Sequence, residues 1–136
     1  MNADIRLEEL LRTSEPLLCA DRCVFCTLQA EQLPVLAGQC LLLVCERDGY
    51  SAVLPRELAE REGLASNISL CRITLRQPLD QARAELLVAL TSELAHAQIT
   101  ARLTSTPFGH HLFVPEHQAE DALRLLRAIG NRAQYC

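Results

Sequence analysis

Apolar positions between residues 71 and 129 recur with two different periods, and the switches between them lay out the organisation of the chain. CRITL at 71–75 alternates as a strand does. Ala82, Leu86, Leu90, Leu94 and Ala97 then repeat at three- and four-residue steps, with Ala89 widening the stripe. Gln81, Arg83, Glu85, Ser92 and His96 fall largely off it. That is one apolar face on a helix of 3.6-residue period. Pro78 cannot occupy a helix interior and Asp80 is a good N-cap, so the pattern predicts a helix from about residue 80 to 97. The β-rich ITARLTS at 99–105 and HHLFVP at 110–115 follow. A second helical stripe, Ala119, Ala122, Leu123, Leu126 and Ile129, comes after Pro115 and is expected to end near Gly130. The order strand, helix, strand, strand, helix predicts an α+β fold, an antiparallel sheet covered by helices on one face.

Upstream the same pattern is shorter. Ile5, Leu7, Leu10 and Leu11 predict a short helix to about Thr13, expected to cover one end of the sheet, and Ser14-Glu15-Pro16 breaks it. Residues 23–28 read as a strand, and 29–38 as a connection holding at most a helical turn. Residues 40–54 read as a hairpin around Asp48-Gly49, and 55–62 as a short helix stopped by Gly63. VLPRELAE at 53–60 matches FVPEHQAE at 113–120 in its Pro, Ala and Glu, and Thr27-Leu28 resembles Thr74-Leu75. The chain therefore divides into 1–68, a shortened first unit with the N-terminal helix, and 69–136, a complete second unit.

VFCTL, AVLPRELAEREGL, CRITL, LTSELAHAQIT and HHLFVP together resemble ACT domains, and more closely the bacterial stand-alone proteins made of two ACT-like units. The likeness spans residues 21–129. It implies a ferredoxin-like fold and a non-catalytic, regulatory module that binds a small effector, typically an amino acid. It also implies a ligand between residues 76–83 and the strand at 100–106 of a neighbouring unit, with Gln77, Asp80, Arg83 and Thr104 as candidate ligand-binding residues. A helix N-terminus offers free N–H groups to a carboxylate, and Asp80 offers a partner to an ammonium. Asp80 serves equally as the cap of its own helix. Glu85 and Gln98 stand where ACT domains usually carry glycine. Such units associate side by side and exposed sheet edges tend to pair, so a two-fold homodimer is expected. The alternative is a structural or protein-interaction protein that keeps the fold without an effector site.

Composition narrows the remaining classes. The chain has 136 residues, about half of them hydrophobic, enough for one compact domain or two very small ones. Its net charge is −4, no basic cluster stands out and aromatic residues are few, so no nucleic-acid partner is expected. All thirteen basic residues are arginine, which excludes a lysine Schiff base and a P-loop lysine. No apolar run approaches the roughly 18 residues of a membrane span. The acidic, amphipathic N-terminus lacks the apolar core of a signal peptide, so a cytoplasmic protein without a membrane partner is expected.

Seven cysteines in such a chain read as reduced core thiols, not as disulfides. Cys23 and Cys26 sit three apart on a strand and face opposite sides, as do Cys40 and Cys45, which argues against a shared metal. The adjacent His110 and His111 likewise point to opposite faces and cannot act as a pair; His111 is expected to pack or hydrogen-bond in its strand. No motif selects a catalytic residue, a metal or a cofactor.

Overall fold

A computed structural model of the chain describes residues 3–64, 68–76 and 84–132, with side chains from Leu7 onward. Along the chain run α1 (Ala3–Ser14), β1 (Leu17–Leu28), α2 (Leu33–Leu36), β2 (Leu42–Glu46), β3 (Gly49–Pro55) and α3 (Arg56–Arg61). They are followed by β4 (Leu70–Leu75), α4 (Ala84–His96), β5 (Arg102–Thr106), β6 (Gly109–Pro115) and α5 (Ala119–Arg132). Short 3-10 turns at Ala30–Gln32 and Ala37–Gln39 flank α2, and another at Glu116–Gln118 leads into α5. Packing divides the chain into two units, Met1–Cys19 with Cys71–Cys136, and Ala20–Leu70.

In the larger unit the strands lie in the order β4-β6-β5. β5 and β6 are antiparallel, with Arg102 opposite Phe113 and Thr106 opposite Gly109. Cys71, Ile73 and Leu75 alternate with Arg72 and Thr74, and the apolar three join Leu112 and Val114 in the core. Leu86, Leu90 and Leu94 of α4 enter the same core, as the stripe requires. Ala97, at the end of that expected stripe, is exposed because α4 stops at His96; Ala82 lies outside the described residues. The stop is a wrap-back: Ile99 N–H donates to the Leu94 carbonyl (2.9 Å) and Gln98 N–H to that of Ala95 (2.9 Å). Gln98 adopts φ +60°, the left-handed conformation usually left to glycine.

The N-terminal helix differs from expectation in what it covers. α1 packs on α4 and α5, and its buried Leu7, Leu10 and Leu11 belong to the core of the larger unit. The sequence expectation grouped it with residues 1–68 and put it over a sheet end. An amphipathic stripe shows which face of a helix is covered but not by what, so that choice was open. Gly130 shows why this partner is accepted. A Cβ at Gly130 would stand 3.1 Å from the Arg12 backbone nitrogen and 3.2 Å from the Leu11 carbonyl carbon. The glycine is thus a close-approach point between two helices, not a stop, and α5 continues through it to Arg132.

In the smaller unit the order is β2-β3-β1, all antiparallel. Val24, Cys26 and Leu28 of β1 and Ala52 and Leu54 of β3 pack with Leu36 of α2 and Leu58 and Ala59 of α3. β1 begins at Leu17, six residues before the expected strand, because Leu17, Ala20 and Asp21 are exposed and leave no apolar alternation to read. The hairpin turn falls on Arg47-Asp48, one residue earlier than expected: Gly49, at φ +149°, already pairs with Glu46.

The internal repeat extends to backbone detail. β2 and β5 coincide at an offset of 60 residues, as do β3 and β6. Pro55 (φ −54°, ψ 136°) and Pro115 (φ −55°, ψ 142°) make the same corner from strand into helix. At an offset of 47, core residues Val24, Cys26 and Leu28 coincide with Cys71, Ile73 and Leu75.

Candidate functional site

Alternation in β4 and β6 sends Arg72, Thr74 and His111 to the sheet face opposite the one that packs on the helices. His111 Nδ1 lies 3.1 Å from the Thr74 hydroxyl oxygen. Thr104, half-buried, sits directly opposite His111 in the β5–β6 ladder. Arg72 is also half-buried, and its Nε is fully enclosed without a hydrogen-bond acceptor. Burial, then the Arg72 charge, then His110 hold the His111 pKa below its ordinary value, so the neutral imidazole is favoured. A guanidinium, two hydroxyls and a neutral imidazole thus share one surface. Their donors suit an oxygen anion, and the unmatched Nε–H is the donor that such a ligand would satisfy.

His110 takes the other side, as strand alternation demands. It is completely buried, its Nδ1 lies 2.7 Å from the Ser105 hydroxyl oxygen, and its Nε2 has no partner. Burial lowers its pKa. The two adjacent histidines therefore serve separate environments.

Of the residues expected to bind a ligand, Thr104 lies on β5 beside this group. Gln77, Asp80 and Arg83 lie outside the described residues. Arg72 and Thr74 were not singled out from the sequence, although the alternation of CRITL puts both on the polar side of the strand whose apolar side is core. None of the cysteines at described positions forms a disulfide. Cys23, Cys26 and Cys71 are buried and Cys45 is exposed, and burial, with a smaller contribution from Cys40, raises the Cys26 pKa. Among the described residues no group of three or more His, Cys, Asp or Glu side chains could hold a metal ion. No helix among them is long and apolar enough to cross a membrane.

The ACT-domain family model matches residues 4–72, just over half of the chain. This chain belongs to the ACT-domain family. Among solved structures, this ACT-domain protein is similar to a Vibrio cholerae protein of unknown function, described as a possible transport protein. The two are 29% identical with a TM-score of 0.79, over 95% of this chain and 99% of the other. An Agrobacterium tumefaciens protein aligns at 19% identity and a TM-score of 0.66, over 81% of this chain and 84% of its own. The regulatory subunit of aspartate kinase from Thermus flavus aligns at 11% identity and a TM-score of 0.61, over 84% and 95%. The last two likenesses show the fold, the ferredoxin-like α+β arrangement of ACT domains. No curated protein sequence matches the ACT-domain chain significantly.

Proposed function

We propose that this ACT-domain protein is a non-catalytic, cytoplasmic regulatory module that binds a small carboxylate-bearing effector, in the first instance an amino acid. The observation that carries this reading is the half-buried Arg72 guanidinium, its enclosed Nε without an acceptor, beside Thr74, Thr104 and His111. An enclosed donor without a partner costs about 1–3 kcal/mol, and a carboxylate would recover it. The regulatory subunits of aspartate kinase share the fold, which supports an effector of amino-acid type. We assign the rest of the ligand set to Gln77, Asp80 and Arg83: backbone N–H groups near a helix start for the carboxylate, Asp80 for the ammonium and Gln77 to orient either end. We also propose a two-fold homodimer, because sheet edges tend to pair.

Thermal melting against a panel of amino acids tests the function, since a ligand bound only by the native state raises the melting temperature. At least one amino acid should do so, and Arg72→Gln should remove the rise while the unliganded protein still melts cooperatively. Asp80→Gly probes the ammonium partner, because glycine retains most of the capping. A panel without any shift would favour a protein-interaction role. Light scattering showing only monomer would remove the dimer.

A further inference from the structure

A concave site lies in the larger unit, where the C-terminal ends of α1 and α5 meet the start of β1. It is a cleft of about 430 Å³, within the size range of small-ligand sites, lined in part by Leu11 and Leu17. Its polar lining is Arg12 and Glu15 from the α1 end and Arg127 and Asn131 from α5. Gly130 also lines it, where a Cβ would meet the α1 backbone at Leu11 and Arg12. Arg12 and Arg127 form no ion pair with each other's neighbours among the described residues, and Glu15 pairs with neither of them. By contrast, Arg124, one turn earlier on α5, is paired with Asp121 at 3.1 Å. The hydroxyl of Ser14, next to Glu15, is buried without a hydrogen-bond partner.

Charge decides what such a cleft suits. An arginine in the last turn of α1 offsets the negative helix end, which accounts for part of Arg12's placement. Two guanidiniums and one carboxylate lining the same cleft leave one net positive charge. Each has the geometry to take an opposite charge: guanidinium to carboxylate, carboxylate to ammonium. We infer that this cleft binds a small zwitterion carrying two acidic groups and one ammonium, held by Arg12 and Arg127 at its acidic groups and by Glu15 at its ammonium. The site is separate from the Arg72 face and does not rest on the function proposed for it.

Isothermal titration of the full chain with L-glutamate, glutarate and L-alanine tests this. L-Glutamate should bind at least about tenfold more tightly than glutarate, which lacks the ammonium, or L-alanine, which lacks the second carboxylate. Arg12→Gln and Arg127→Gln should each weaken L-glutamate binding about tenfold, and Glu15→Gln should abolish the preference over glutarate. All three positions are exposed, so melting curves should show the variants folded. Hydrogen exchange separates the two sites: L-glutamate should slow exchange around residues 11–17 and 127–131. Absence of L-glutamate binding would overturn the inference. So would binding that protects residues 70–75 instead and is unmoved by the arginine substitutions; that outcome would leave the Arg72 reading intact.

Discussion

The two units share a hairpin and differ in how much helix covers it. β2-β3 and β5-β6 repeat residue for residue, with glycines at φ +149° and +154° opening β3 and β6 and prolines closing them. Yet among the described residues the smaller unit has as α-helices only α2, of four residues, and α3, of six. The larger has α4 and α5, of 13 and 14 residues, and α1 in addition. Sheet geometry is thus set locally by turn and corner residues, while the amount of buried core is set by the connections. Where residues 29–41 replace a long helix with a run of short turns, fewer side chains can be buried, and the smaller unit should be the less robust of the two.

Core truncation should give the largest effect. Leu90 and Leu36 are both completely or almost completely buried, at 0% and 1% exposure. Leu90→Ala should cost near the top of the roughly 2–5 kcal/mol range, because α4 is held on several sides and cannot close the cavity. Leu36→Ala should fall near the bottom, since a four-residue helix between 3-10 turns can settle inward. Urea unfolding of both variants measures this; equal losses would break the comparison.

Glycines give the next contrast. Gly130→Ala should destabilise by about 1–3 kcal/mol, because the new methyl meets backbone atoms of α1. Gly38 has no atom within 4 Å of its would-be Cβ and no positive φ. Gly38→Ala should therefore be neutral or stabilise by up to about 1 kcal/mol, through the entropy of the unfolded chain. Thermal melts of the two variants should move in opposite directions, or one should not move at all.

Acid should act on the larger unit alone. All four histidines fall between residues 96 and 117, and none lies in 20–70. The folded-state pKa values of His110 and His111 are lowered, chiefly by burial. Their neutral forms are favoured by the fold, so the stability they contribute is complete above the unfolded pKa of about 6.5. It is lost as pH falls below that value and levels off beneath the folded pKa. Hydrogen exchange near residues 109–115 should accelerate from pH 6.5 downward while residues 24–28 and 51–54 are unaffected. His110→Phe should flatten the dependence.

The smallest effect concerns helix ends. α3 ends at Gly63 in the left-handed conformation (φ +69°), whereas α4 ends at Gln98 (φ +60°) in the same one. Gln98→Gly should stabilise by no more than about 1 kcal/mol, and Gly63→Ala should destabilise by a similar amount.

What could be read from the sequence follows from the same contrast. Leu86, Leu90 and Leu94 showed their helix because its period is long enough to display itself, and CRITL and HHLFVP showed their strands by alternation. The α+β fold and the family followed from these. The first half of β1 was hidden because Leu17, Ala20 and Asp21 face solvent, and the role of Gly130 was hidden because close helix crossing and helix termination both select glycine. In the candidate site, the family resemblance points to Thr104, but nothing in the sequence pattern points to Arg72. Its importance lies in an enclosed Nε without an acceptor, a property of three-dimensional packing that no spacing reveals.

The place of α1 in the larger unit also sets an order of events during synthesis. Residues 3–14 leave the ribosome more than a hundred residues ahead of their partner α5, which begins at Ala119. Leu7, Leu10 and Leu11 must therefore wait, apolar side uncovered, until α5 has been made. The pairing of α1 with α5 makes completion of this half a long-range closure, and such closures are slow and open to capture by other chains. The smaller unit, continuous in sequence from Ala20 to Leu70, can begin to fold in that interval. A nascent chain that stops short of α5 would leave α1 with a sticky face and no place to put it.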